Sequence, residues 1–127
     1  MVVEQVMLVC YKFVVDFDRF SVVLHVLRTD APDLSEADAD ELQDAHMSYL
    51  SDLQDAGHLL AAGPLLDEHF RGLTILGVSA EVARHLLAQD PAVKAGRFEV
   101  VAMPWLVPGG VMRFGPGRLP RSTSDLE

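Results

Sequence analysis

The pattern of hydrophobic and polar positions changes several times along the chain, and each change marks an element of secondary structure. Short runs rich in Val, Leu, Ile and Phe predict four strands, because β-branched and aromatic residues favour extended backbone. Two longer stretches that begin at capping residues predict helices. We predict strands over residues 20–27, 58–65, 70–78 and 97–107, and helices over residues 36–56 and 80–89.

Capping residues set the expected ends of these helices. Ser35 is a good N-cap for the first helix, and Asp38 stands at the capping-box position in place of Glu. Gly57 follows this helix, where a left-handed residue is commonly needed. Ser79 caps the second helix. Asp90-Pro91 ends it and starts one further turn, because Pro has no N–H to leave unpaired at the first helical position.

The predicted order of elements is β-α-β-β-α-β, the split βαβ arrangement of a ferredoxin-like α+β domain. Its strands form one antiparallel sheet with both helices on one face. We assign residues 19–107 to this domain, residues 1–18 to an N-terminal extension whose role is open, and residues 108–127 to a C-terminal tail. The tail is rich in Gly, Pro, Arg and Ser without periodicity, so we expect it to be mobile.

The predicted strands are apolar on both faces, which points to a homodimer. In the first strand, Val22 and Leu24 lie on one face while Val23 and Leu27 lie on the other. Two helices cover only one face, and monomers rarely leave a large apolar surface in water. A second copy packed sheet-on-sheet would cover the remaining face with two-fold symmetry. The alternative is that the tail or residues 1–18 cover it within one chain.

The charge of the chain excludes two classes of partner. With 19 acidic and 10 basic residues, the net charge is −9. Neither nucleic acid nor an anionic membrane is therefore expected as the main partner. Acids cluster between Asp30 and Asp55, and we expect them to form a solvated helix face.

The N-terminal run Met1–Val15 is apolar, but we expect neither a signal peptide nor a membrane span there. Glu4 and Lys12 interrupt the run, which is too short to cross a bilayer. Cys10 is the only cysteine, so an intramolecular disulfide and a multi-cysteine metal site are excluded. The reducing cytoplasm is the simplest compartment for such a chain.

Candidate chemistry begins on the first helix, where Leu42, His46, Tyr49 and Leu53 share one stripe. His46 thus lies on the face that should meet the sheet, where a ring nitrogen needs a polar partner. The alternative is a structural core or interface histidine. Asp90 is a good N-cap for the turn at Pro91, and both roles coexist if one oxygen caps and the other reaches a histidine.

Several short segments together resemble the YCII-related (YciI-like) family over about residues 20–108. They are Ala45-His46-Met47-Ser48-Tyr49-Leu50, Ala61-Ala62-Gly63-Pro64-Leu65, Arg71-Gly72-Leu73, Asp90-Pro91-Ala92-Val93-Lys94-Ala95-Gly96 and Pro104-Trp105. The resemblance implies a ferredoxin-like domain that pairs into a dimeric α+β barrel. It also implies a His-Asp dyad, placed here at His46 and Asp90, and one branch of the family is linked to lyase chemistry on chlorinated aromatic diols.

A histidine–aspartate pair has a simple chemical logic. Asp90 would accept a hydrogen bond from one imidazole nitrogen and fix the tautomer, leaving the other nitrogen of His46 as a base. No nucleophile is evident, because Cys10 lies outside the matched region and no Ser stands in a nucleophile-elbow motif. Proton abstraction or elimination is therefore favoured over covalent catalysis.

Weaker signals suggest which residues touch a substrate. Tyr49, Arg71 and His25 are the candidate substrate-binding residues, with His25 placed on a strand face inside the barrel. Arg71 and Arg97 stand at strand starts, where they either bind an anionic substrate or are exposed strand-end charges. We expect no metal and no cofactor, because Asp67-Glu68-His69 lacks a ligand spacing and belongs to a hairpin turn.

Three functions remain open at this point. The first is a small cofactor-free enzyme, a lyase or isomerase, that uses His46 and Asp90 on a small polar or aromatic molecule. The second is a non-catalytic domain that binds a small metabolite or a protein. The third is a cofactor-independent monooxygenase of the dimeric α+β barrel group. A dyad requires His46 and Asp90 within roughly 2.6–3.2 Å, beside a cavity.

Overall fold

A computed structural model describes residues 16–126 and has the predicted order of elements. These elements are β1 (Phe17–Leu27), α1 (Glu36–Asp55), β2 (Leu59–Pro64), β3 (Phe70–Leu76), α2 (Ala80–Leu87), α3 (Pro91–Lys94), β4 (Phe98–Pro108) and a 3-10 turn (Thr123–Leu126). Most of the proposed N-terminal extension, residues 1–15, lies outside the described residues. Its last two residues, Phe17 and Asp18, are part of β1.

The four strands form one antiparallel sheet in the order β2-β3-β1-β4, as expected for a ferredoxin-like domain. The central strand β1 pairs with both β3 and β4, so His25 lies opposite Gly72 on one side and Val100 on the other. The pairing with β3 shifts after His25, because Val26 lies opposite Phe70. Arg71 is therefore the extra residue of a β-bulge.

Both helices cover the same face of the sheet. The main core cluster joins Val23 of β1 to Leu53 of α1 and to Ala83 and Leu87 of α2, all nearly or fully buried. Since side chains alternate along a strand, His25 lies on this helix-covered face with Val23. This position corrects the expectation that His25 faces the interior of a barrel between two sheets.

The predicted capping residues act as expected. The Ser35 hydroxyl accepts a hydrogen bond from the Asp38 N–H at 3.1 Å, and the Ser79 hydroxyl accepts one from the Val82 N–H at 3.2 Å. Gly57 ends α1 with φ +84°, a conformation that a residue with a Cβ rarely adopts. These local signals explain why the predicted helix ends differ from the observed ones by only one or two residues.

The opposite face of the sheet, which we call the open face, carries large apolar side chains that are well exposed. They are Phe70, Val101, Met103 and Trp105, between 39% and 44% exposed. The strand register places all four on the side of β1 opposite His25. The expectation of two apolar faces is thus confirmed, and within residues 16–126 only one of them is covered by helices.

The C-terminal tail is held on α1, so the expectation of a mobile tail is wrong. The side-chain amide of Gln54 donates to the Gly117 carbonyl at 3.1 Å and accepts from the Leu119 N–H at 2.9 Å. Leu119 also packs against the main core cluster. Both hydrogen bonds use backbone groups of the tail, which are present whether or not its apolar side chains recur periodically.

Acids of α1 hold the rest of the tail. The Arg121 guanidinium lies 2.9 Å from Asp52 and 2.8 Å from Asp55, and the Thr123 N–H donates to Asp44 at 2.8 Å. Part of the acidic helix face is thus covered by the tail instead of being fully solvated. No helix in the described part of the chain combines the length and hydrophobicity needed to cross a membrane.

Deletion of residues 117–127 is expected to lower the free energy of unfolding by about 1–2 kcal/mol, because it removes these hydrogen bonds and uncovers apolar surface of α1. The melting temperature should fall by roughly 3–8 °C, measured by circular dichroism. The control, Arg121→Gln, removes only exposed ion pairs and should have a smaller effect. A truncated protein that melts with the full-length chain would contradict this prediction.

Candidate functional site

Asp90 is the centre of a buried polar cluster, and both of its carboxylate oxygens are bonded. Oδ2 lies 2.7 Å from Nδ1 of His46 and 3.0 Å from Nε2 of His25. Oδ1 accepts a hydrogen bond from the Ala92 N–H at 3.0 Å and so caps α3. The predicted contact between His46 and Asp90 is confirmed, and the same carboxylate acts as helix cap and histidine partner.

Three different elements bring this cluster together. His46 lies near the middle of α1, on the stripe that faces the sheet, and His25 lies on the central strand. Asp90 follows α2 directly, where its N–H donates to the Leu87 carbonyl at 3.2 Å. The end of one helix therefore reaches the middle of the other, as the topology predicted.

His25 is the member of the cluster whose role the sequence did not reveal. We expected it to bind a substrate, but its side chain is 3% exposed and its Nε2 is bonded to Asp90. The alternation of β1 placed it on a face with Val23, but alternation alone does not tell which face the helices cover. Only the packing of α1 and α2 decides that His25 meets Asp90.

The environment of Asp90 favours its ionised form. Complete burial raises its pKa, but the hydrogen bonds with His25 and His46 together outweigh burial and lower the pKa to about 2. Near neutral pH the group is therefore a carboxylate and accepts every bond that it makes. It follows that Nδ1 of His46 and Nε2 of His25 each carry the hydrogen directed at Oδ2.

This tautomer leaves one acceptor nitrogen on each neutral imidazole, Nε2 of His46 and Nδ1 of His25. Within residues 16–126, neither nitrogen has a hydrogen-bond partner. Phe98 fixes both rings from the side, with ring centroids 5.7 Å from His25 and 6.1 Å from His46. The two imidazoles are thus held in place while one nitrogen of each stays available.

A cavity of about 400 Å³ lies beside the two histidines. Its walls come from α1, the β2–β3 hairpin, the start of β4 and the C-terminal tail. Apolar side chains, including Met47, Leu50, Phe98, Leu119 and Leu126, form much of the wall. This volume lies at the small end of the range for ligand sites, which fits a small molecule.

The other predicted substrate-binding residues differ in whether they line the cavity. Arg71 lines the cavity, and so does Arg97. Tyr49 does not line it: its hydroxyl donates to the Leu86 carbonyl at 2.7 Å and ties α1 to α2. Burial, and then the nearby Asp90 carboxylate, raise the pKa of Tyr49. The position of Tyr49 therefore favours a structural role, which corrects the expectation that it binds substrate.

His25, His46 and Asp90 are also the described residues that could hold a metal ion, since one ligand atom from each lies within 4.8 Å of the others. Metal-bound histidines usually donate their second ring N–H to a carboxylate or carbonyl. In this cluster Asp90 accepts a hydrogen bond from one nitrogen of each histidine, so a carboxylate partner of this kind is present. The three side chains form a hydrogen-bonded cluster in this structure. At the turn between β2 and β3, the Asp67 carboxylate accepts hydrogen bonds from the backbone N–H groups of His69 and Phe70 and so closes the hairpin.

The lowered pKa of Asp90 makes a prediction about stability. The folded pKa of about 2 lies below the ordinary value of 3.8 for an aspartate, so the stabilisation is present above about pH 4 and is lost as the pH falls toward 2. Between pH 5 and pH 2 the wild type should lose about 2 kcal/mol of unfolding free energy more than Asp90→Asn. Urea titrations at each pH measure this difference.

The matched control for this experiment is Asp40→Asn, the same change at an exposed position of α1. This variant should follow the wild-type pH dependence over the same interval. If Asp90→Asn also followed it, the carboxylate would not be the group that is stabilised in the folded protein.

A comparison with known families identifies the region of the chain that contains this site. The family model of the YCII-related domain matches residues 23–105, more than half of the chain. The matched region contains His25, His46 and Asp90 together with Arg71 and Arg97. A search of curated proteins found no match. The resemblance identified from the sequence is thereby confirmed, and the chain belongs to the YCII-related family.

Proposed function

We propose that this protein is a small enzyme of the lyase or isomerase type in which His46 is the general base. One observation carries the proposal: a buried carboxylate holds Nδ1 of His46 at 2.7 Å, while the other ring nitrogen has no partner within residues 16–126 and His46 lines a cavity. A general base needs this combination of a fixed tautomer, a free nitrogen and room for a substrate.

The reaction would begin with transfer of a substrate proton to Nε2 of His46. The resulting imidazolium is stabilised by Asp90, which keeps its negative charge because its pKa is about 2. In an elimination, the electron pair of the broken C–H bond forms a double bond and the leaving group departs with its own pair. In an isomerisation, His46 returns the proton to a different atom.

His25 would act as a positioning residue. Its Nε2–H shares Oδ2 of Asp90 with His46, and its ring centroid lies 5.2 Å from that of His46. The second hydrogen bond keeps the carboxylate in place and keeps it ionised. His25 therefore supports the dyad without having to touch the substrate.

His46→Asn is expected to lower kcat by about 10²–10⁴-fold, since it removes the base but keeps a polar side chain of smaller size. We suggest a panel of small hydroxylated aromatic compounds with and without a halogen leaving group, followed by absorbance and halide release. The control is His85→Asn, because His85 is exposed on α2.

This experiment separates the enzyme from a binding domain. If His46→Asn weakens ligand binding but the wild type turns over none of the bound compounds, a metabolite-binding domain with the same fold is the better explanation. Wild-type turnover that persists in His46→Asn would equally rule out His46 as the base. Melting curves of the variant exclude unfolding as the reason for lost activity.

We also propose that two copies pair through the open face to form a homodimer. Phe70, Val101, Met103 and Trp105 leave an apolar surface that a second copy would cover. The same surface would be covered in a monomer if residues 1–15 packed on it. The oligomeric state in solution therefore decides between the two arrangements.

Met103→Glu is expected to convert the dimer to a monomer, because it places a charge in the proposed interface. Sedimentation equilibrium should give twice the chain mass of 13.9 kDa for the wild type and the single mass for the variant. Val82→Glu is the control, since Val82 is 45% exposed on α2, on the helix side of the sheet. A wild-type monomer at micromolar concentration would rule the dimer out.

A further inference from the structure

Two arginines, Arg71 and Arg97, line the cavity, although acids outnumber basic residues 19 to 10 in this chain. Arg28, Arg118 and Arg121 each form an ion pair with an aspartate. Within residues 16–126, neither Arg71 nor Arg97 forms one. Positive charge is therefore left unneutralised at the cavity, in a molecule whose net charge repels anions elsewhere.

The bulge in β3 explains how Arg71 reaches the cavity. Gly72 lies opposite His25, so both positions belong to the helix-covered face. In a regular strand, the preceding residue Arg71 would point to the open face. The bulge inserts Arg71 as an extra residue and interrupts this alternation, and Arg71 lines the cavity. Bulges commonly re-aim a side chain beside a functional site.

Arg97 is held beside the histidines by an aromatic ring. Its guanidinium carbon lies 5.2 Å from the centroid of Phe98, and Phe98 is 7% exposed. The same ring packs against both His25 and His46. A cation over an aromatic face is attracted to it, so the charge of Arg97 is kept close to the dyad.

We propose that Arg71 and Arg97 bind the carboxylate of a small organic acid, and that the substrate of this site is such an acid with an apolar or aromatic body. The assignment of the acid as substrate rests on the proposed function. Arginine binds carboxylates through paired, charge-assisted hydrogen bonds. The apolar side chains of the wall, Met47, Leu50 and Leu119 among them, suit the remainder of the molecule.

The two arginines would also serve the reaction. When His46 removes a proton from the carbon next to the carboxylate of an organic acid, the electron pair of the broken C–H bond spreads onto the carboxylate oxygens. Fixed positive groups at that point stabilise the charge that develops in the transition state. The same residues would thus select the substrate and lower the barrier for its deprotonation.

Benzoate and benzamide form a suitable pair of probes, because they have nearly the same shape and differ in charge. Binding of each is measured by NMR titration of the full-length protein at constant ionic strength. We expect benzoate to bind at least about tenfold more tightly than benzamide. Arg71→Gln and Arg97→Gln should each weaken benzoate binding by about tenfold and leave benzamide binding unchanged. Equal binding of the two probes to the wild type would overturn the proposal.

Two controls make the result specific. Arg113→Gln makes the same charge change at an exposed arginine outside the cavity, and it should not alter benzoate binding. If it weakens benzoate binding as much as Arg71→Gln does, the effect is that of net charge and the subsite is disproved. A wild type that binds benzoate more tightly than benzamide but turns over none of the compounds of the activity panel would reject the enzyme and leave the anion subsite standing.

Discussion

The hydrogen-bonded carboxylate of Asp90 is the interaction on which the rest of the site depends. A carboxylate taken fully out of water is costly unless hydrogen-bond donors replace the lost water. Here the donors come from three places: His25 on the central strand, His46 on α1 and the backbone of α3. The cluster can form only when α1 lies against the sheet and α3 starts at its observed position. The packing of the domain therefore determines the geometry of the site.

The hydrogen bonds to Asp90 also determine which histidine nitrogens can act as acceptors. Because one oxygen, Oδ2, takes the hydrogens of both imidazoles, the nitrogens that remain are acceptors and belong to residues that line the cavity. A histidine without such a partner would exchange between two tautomers and offer its lone pair only part of the time. The low pKa of Asp90 keeps the carboxylate ionised, and therefore an acceptor, across the physiological range of pH. The buried charge thus gives His46 a fixed direction in addition to stabilising the fold.

The sequence predicted the features that depend on local signals. Ser35, Ser79 and Gly57 mark helix ends through their own backbone and side-chain chemistry, and His46 and Asp90 stood out by a helical stripe and an Asp-Pro capping pair. The features that were missed depend on long-range packing. His25 and Arg71 were candidates from the sequence, but the contact of His25 with Asp90 depends on which sheet face the helices cover. The position of Arg71 at the cavity depends on a bulge that leaves no trace in the pattern of apolar residues. The tail was missed because hydrogen bonds to acids of α1 hold it, and these have no periodicity.

The placement of the site relative to the open face bears on how the proposed dimer and the proposed reaction would be connected. The histidines, Asp90 and both arginines come from one chain, and the cavity lies on the helix-covered side. A partner packed on the open face would add nothing to the cavity directly. The strand β1 nevertheless belongs to both the site and the open face. Leu24 and Val26 flank His25 in sequence and point to the open face, while His25 points to the helix-covered face. Any partner that fixes the position of β1 would also fix His25, and through it the carboxylate that orients His46. Assembly would then support the reaction by holding one strand still, without contributing a residue to the site.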